Sequence, residues 1–155
     1  DPDIVESLNT RLMLFYMGNQ RDASNVLKAQ VAATGEKEDV LTAMCDMVDP
    51  MVEILSGRGV LSDVGPMLHE SWLLKRSITN RTSTAEIDTA FERAMEAGAG
   101  GGKLVGAGGG GFLMFFVEPS RQPDVASALS GMPFIKPRFD TGGSRITYYE
   151  PKRLA

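Results

Sequence analysis

The apolar positions fall into two textures, a helical first two-thirds and a strand-rich remainder. Arg11-Leu-Met-Leu-Phe-Tyr-Met17 is an unbroken apolar run closed by Gly18-Asn19, which predicts a short buried strand. Asp22 then caps a helix to about residue 33, with Val26, Leu27, Gln30 and Val31 on its inner side and Gly35 ending it. Over 37–56, Val40, Met44, Met47, Met51 and Leu55 recur every three or four residues, the spacing of one long amphipathic helix. Pro50 lies inside that pattern and predicts a kink. A third helix spans about 62–76, with Val64, Leu68, Trp72 and Leu73 inward. Ser83-Thr-Ala-Glu86 reads as a capping box with Ser83 as the N-cap of a fourth helix, whose buried side is Ile87, Phe91 and Ala94 and which Gly98 closes.

The remainder alternates β-like runs with glycine and proline. Residues 103–105 and 112–117 read as two strands separated by Gly106-Ala-Gly-Gly-Gly-Gly111. A short helix over 123–129 follows, and then strands over 134–139 and 145–149, joined by a hairpin turn at Thr141-Gly142-Gly143. Strand–helix–strand twice over predicts an α+β domain with a ferredoxin-like split β-α-β antiparallel sheet. Its first crossover is swollen into a multi-helix insertion after the first strand, and the helices lie mostly on one face of the sheet. Residues 1–155 read as one such domain.

Composition narrows the function. The net charge of −4 and the lack of a Lys/Arg stripe argue against nucleic acid. No apolar run approaches the roughly 20 residues of a membrane span. The single Cys45 excludes an internal disulfide and agrees with a cytoplasmic setting. His69 is the only histidine, so a structural zinc site is not expected. Asp1-Pro2-Asp3 lacks an initiator methionine, as either an excised domain or trimmed numbering would.

Residues 106–111 are the strongest chemical signal, because successive amides of a glycine-rich turn can form a concave cradle for an anion. A P-loop is excluded: Gly102-Lys103 is followed by Leu104 and a strand rather than by Ser or Thr opening a helix. Gly106-x-Gly108-x-x-Gly111 spells the dinucleotide fingerprint, but that motif must open a helix, and 112–117 is β-like. Protein-kinase signatures do not follow it. A plain bulged hairpin is the alternative.

Gly101-Gly-Lys-Leu-Val-Gly-Ala-Gly-Gly-Gly-Gly-Phe112 resembles the third signature motif of the GHMP kinases, the family of galactokinase, homoserine kinase, mevalonate kinase and phosphomevalonate kinase. Leu12-Met-Leu-Phe-Tyr-Met-Gly18 with Arg21-Asp-Ala-Ser24 is similar to the strand and turn that open the family's C-terminal domain. Leu68-His-Glu-Ser-Trp72 with Lys75-Arg76 resembles the sugar-kinase branch, in particular the bacterial D-glycero-D-manno-heptose 7-phosphate kinases.

The resemblance implies an ATP-dependent kinase that phosphorylates a sugar or sugar-phosphate hydroxyl. ATP and Mg2+ would be held mainly by an N-terminal kinase domain outside this chain, along with the catalytic groups. The isolated chain is then expected to be inactive, with no catalytic or metal-binding residue of its own. Gly106, Ala107, Gly108, Gly109, Gly110 and Gly111 would face or brace the nucleotide phosphates. Arg21, His69, Trp72 and Lys75 would face the acceptor. Lys103 is placed to reach a phosphate, with a solvated edge charge as its plainer reading, and plainer readings likewise make Trp72 a core residue and Arg21 a surface charge. The implied partners are the N-terminal domain and the acceptor, with room for a homodimer. A non-catalytic ferredoxin-like ligand-binding or regulatory module is the alternative function.

Overall fold

The computed structural model describes residues 2–18, 23–80, 82–106, 110–140 and 142–149. The chain opens on a helix that the apolar run conceals, α1 (Pro2–Arg11). Pro2 suits a first helical position, Asp3 the positive N-terminal end and Arg11 the negative C-terminal end. Ile4 and Leu8, four residues apart, share its inner face. Strand β1 (Leu12–Tyr16) follows directly.

The insertion after β1 comprises α2 (Ala23–Ala33), α3 (Glu38–Asp46), α4 (Val48–Leu55), α5 (Val64–Ile78) and α6 (Ala85–Glu96), with 3-10 turns at Thr34–Glu36 and Leu61–Asp63. The single helix expected over 37–56 is therefore two. Pro50 cannot donate to residue 46, and its ring excludes a continuous turn there. The helix stops at Met47 and restarts so that Pro50 lies in the first turn of α4, where its missing N–H leaves no bond broken. Two inward assignments fail as well. Leu27 and Val31 of α2 are exposed, as is Leu73 of α5; on α2 the buried apolar position is Val26.

The cap of α6 is Thr84 rather than Ser83. Thr84 has extended torsions and its Oγ1 accepts from the Ile87 amide at 3.3 Å. The Ser83 hydroxyl instead donates to Asp88 Oδ1 at 2.6 Å, and Arg76 of α5 reaches the other Asp88 oxygen at 2.9 Å. Thr84→Ala is thus expected to lower stability by about 1 kcal/mol. Ser83→Ala should cost less, since Asp88 keeps its arginine; urea unfolding of the two variants checks the order.

Strands β2 (Gly101–Val105) and β3 (Phe112–Phe116) form a hairpin, followed by a 3-10 turn at Pro119–Arg121, helix α7 (Gln122–Ala128) and the two-residue strand β4 (Phe134–Ile135). The sheet order is β2-β3-β1-β4, antiparallel throughout, which is the split β-α-β arrangement. The longer strand expected over 134–139 stops at Ile135. Pro137 has no N–H for a ladder, and the Phe139 amide bonds Asn9 Oδ1 at 3.0 Å instead. Residues 145–149 are not a strand. Asp140 organises the turn before them, accepting from the Gly142 amide at 2.7 Å and pairing with Arg145 at 2.5 Å. Ile146 beyond it is 83% exposed. Thr141, the first residue of the expected hairpin turn, lies outside the described residues.

Strand alternation divides the interior in two. Met13, Phe15, Leu113 and Phe115 pack with Ile87, Ala90, Phe91 and Ala94 of α6 and with Val125 and Leu129 at α7. On the opposite face, Leu12, Met114 and Phe116 pack with Ile4 and Leu8 of α1 and with Met51 and Ile54 of α4. Helices therefore cover both faces, not mostly one. The expectation missed this because it did not include α1. Helix α5 lies along edge strand β2 and serves both clusters, with Trp72 in the first and Val64, Met67 and Leu68 in the second. Gln122 ties the C-terminal end of α1 to that of β3, donating to Thr10 O at 2.6 Å and Val117 O at 3.3 Å.

Candidate functional site

The glycine loop joins β2 to β3, with Val105 opposite Phe112 in register. Gly106 and Gly111 stand at φ +109° and +103°, torsions that residues with a Cβ avoid. A Cβ on Gly106 would meet nothing within 4 Å, so the demand for glycine there comes from its torsion and not from crowding. The Met17 amide donates to Gly111 O at 2.9 Å. That bond ties the outgoing limb of the loop to the end of β1, where the chain turns at Gly18 (φ +72°). The loop and the turn after β1 thus lie at the same end of the sheet. Ala107, Gly108, Gly109 and Arg21 lie outside the described residues.

Helix α5 brings charge to the foot of the loop. Ser71 and Lys75 are four residues apart and so share one flank of the helix, about 6 Å apart along its axis. Lys75 Nζ donates to Gly106 O at 2.6 Å. Lys103, in the middle of β2, donates through Nζ to Ser71 Oγ at 3.1 Å. Neither lysine pairs with a carboxylate among the described residues. Burial pushes both ammonium groups below the usual lysine range, and Lys103 lowers Lys75 further by like-charge repulsion. Lys103 and Ser71 also line an open groove of 270 Å³ between α3, α4 and α5, otherwise lined by apolar side chains including Met44, Met47, Met51 and Met67.

His69 and Trp72 face elsewhere. They lie on the α6 side of α5, their rings 5.2 and 6.4 Å from that of Phe91. Trp72 is 0% exposed, the core position that its helical spacing also allowed. The Arg76 guanidinium covers its ring at 5.8 Å. Of the three described residues His69, Trp72 and Lys75, the structure brings Lys75 alone to the start of the glycine loop. The residue the sequence undervalued is Lys103. Its signal was present: strand alternation puts it opposite Met114, on the inner side of an edge strand and not in solvent.

The two lysines give a pH signature. Their folded values lie below the ordinary 10.5 of the unfolded chain, so between the two values the unfolded chain binds more protons. Their contribution to stability is complete above pH 10.5 and is lost as pH falls from there through the lowered values. The groups are half-buried, so solvent screening keeps the effect small. Wild type is expected to gain stability relative to Lys75→Met between pH 7 and pH 10, as read from urea midpoints.

The site suits a phosphate better than a metal. Among the described residues, no group of three or more His, Cys, Asp or Glu is placed to hold a metal ion. Nothing there fits Mg2+, and no chemical step is assigned to it in this chain. A loop requiring glycine torsions beside two ammonium groups does fit an anion.

The family described as GHMP kinases C terminal matches residues 51–133, which include α5, α6, the β2–β3 hairpin and the glycine loop. The chain is 27% identical over 128 residues to a D-glycero-alpha-D-manno-heptose 7-phosphate kinase of Campylobacter jejuni, covering 81% of this chain and 38% of that protein. It is 34% identical over 116 residues to a mevalonate kinase of Pyrococcus horikoshii, covering 70% of this chain and 33% of that one. The chain therefore spans between 33% and 38% of these two relatives. Its fold superposes on the crystal structure of the Methanococcus jannaschii mevalonate kinase with a TM-score of 0.68 at 18% identity, over 84% of this chain and 40% of that one. The chain belongs to the GHMP kinases, as a C-terminal domain of that family.

Proposed function

We propose that this chain forms the C-terminal wall of an ATP-dependent kinase that transfers the γ-phosphoryl group to a hydroxyl of a sugar or sugar phosphate, with D-glycero-D-manno-heptose 7-phosphate as the first acceptor to try. The family match across α5 and the glycine hairpin carries this reading, and the likeness to a heptose 7-phosphate kinase orders the acceptors. Fucose, galactose and mevalonate-like acceptors come next.

Phosphoryl transfer depends mainly on positioning the two substrates and stabilising charge on the moving group. In this proposal residues 106–111 face the nucleotide phosphates, and Lys75 fixes the start of that stretch by holding the Gly106 carbonyl. Arg21 reaches the acceptor from the turn after β1. His69 acts from the rim between α5 and α6, and Trp72 acts through packing rather than contact. A domain outside this chain supplies the magnesium ligands, any general base and most of the nucleotide contacts. The whole enzyme works in the cytoplasm.

The test is transfer of label from γ-labelled ATP by the full-length protein, with Mg2+, to heptose 7-phosphate, fucose and mevalonate in parallel. Heptose 7-phosphate is expected to be the best acceptor. Preference for another of the three keeps the kinase and changes its acceptor. Transfer to none of them removes the kinase reading in favour of a ligand-binding module.

A further inference from the structure

We infer that Lys75, Lys103 and Ser71 form a binding site for a phosphate group, a phosphomonoester or inorganic phosphate, at the foot of the glycine loop. Two half-buried ammonium groups lie along one flank of helix α5 where it meets strand β2, Lys75 on the helix itself and Lys103 reaching Ser71 one turn before it. Their partners are neutral oxygens, Gly106 O at 2.6 Å and Ser71 Oγ at 3.1 Å. Like charges brought together out of water with no counter-charge oppose folding, and an anion seated between them would reverse the sign of the interaction.

The donors match a phosphate. An ammonium carries three N–H bonds, of which each lysine uses one among the described residues. Ser71 accepts from Lys103, so its hydroxyl hydrogen remains available to donate. Two cations and a hydroxyl around one oxyanion give the charge-assisted bonds that hold phosphate most strongly. A ligand can also reach Lys103 and Ser71, because both line an open groove. A lone edge-strand lysine serving as a guard against pairing needs no second cation beside it.

The phosphate group has two possible carriers, the nucleotide and a phosphorylated acceptor, and the test separates them. Inorganic phosphate is titrated calorimetrically into the full-length protein and into its Lys75→Met, Lys103→Met and Lys28→Met variants; Lys28 is an exposed control on α2. Each of the first two substitutions is expected to weaken phosphate binding roughly tenfold, the loss of one charge-assisted bond, while Lys28→Met leaves it unchanged. Equal affinity in all four proteins would overturn the site. Should Lys75→Met misfold for want of its bond to Gly106, wild type alone decides the matter. Saturating phosphate is then expected to move the Lys75 and Lys103 ε-carbon resonances, and two unmoved resonances reject the site.

The enzymatic arm rests on the kinase reading. A raised KM for a phosphorylated acceptor with an unchanged KM for ATP assigns the group to the acceptor, and the reverse assigns it to the nucleotide. If neither KM changes, the site has no part in substrate binding. A protein that binds phosphate through these residues yet transfers nothing from ATP keeps the site and loses the kinase. A kinase whose phosphate affinity ignores both lysines loses only the site.

Discussion

Gly101→Ala is expected to destabilise the chain by about 4 kcal/mol, a large share of the 5–15 kcal/mol that hold an ordinary domain together. A Cβ at Gly101 would fall on the backbone carbonyl of Gly65, in the first turn of α5. The constraint is mutual, since a Cβ on Gly65 would lie 2.7 Å from Gly100 O. Both obstacles are main chain, so no side-chain rotation relieves them, and Gly101 also sits at φ +152°. Helix and strand would have to separate, opening both cores because α5 serves each. Ser71 and Lys75 would then move away from Lys103, dissolving the anion site along with the fold. Gly106→Ala makes a useful contrast. It faces open space and carries only the torsional cost of φ +109°, about 1–2 kcal/mol. Urea unfolding followed by the fluorescence of Trp72, the sole tryptophan, measures both. A Gly101→Ala midpoint equal to wild type would mean that the α5–β2 crossing is not set by backbone contact.

Much of the architecture is legible in the sequence because it rests on local patterns. The run 12–16, the period of α6 and the glycine hairpin between two apolar strands each carry their own signal. What escaped was decided at a distance. Helix α1 is short and half polar, and the stronger apolar run after it conceals its Ile4–Leu8 pair. Thr84 displaced Ser83 as the cap because Asp88, held by Arg76 on another helix, gave the Ser83 hydroxyl a better acceptor. Strand β4 ends early because Asn9, far away in sequence, takes the Phe139 amide. The site divides in the same way. The loop could be read from its glycines, whereas the meeting of Lys75 with Lys103 depends on how closely α5 lies on β2. That closeness follows from Gly65 and Gly101, whose spacing in sequence gives no hint that they touch.

Trp72→Ala should cost about 3–5 kcal/mol, and Trp72→Phe markedly less, with neither acting through the acceptor. Trp72 is fully enclosed between the α5–α6 contact and the sheet, so truncation to alanine leaves a cavity bounded by Phe91. Phenylalanine refills most of that volume. It also removes the indole N–H, which is buried without a hydrogen-bond partner among the described residues; a buried donor of this kind is itself a cost of about 1–3 kcal/mol. The phenylalanine variant forfeits some area and part of the cation–π contact with Arg76 and gains back part of that desolvation cost. Circular dichroism melts, which do not depend on the missing indole, should order the proteins as wild type, Trp72→Phe, Trp72→Ala. In the full-length protein, the folded Trp72→Phe variant should keep the acceptor KM of wild type, because a side chain with no exposed face acts on a ligand only through the helix that carries it. If Trp72→Phe instead raised that KM severalfold at unchanged melting temperature, the indole would have to reach the acceptor, and the helix bearing Ser71 and Lys75 would have to turn to present it.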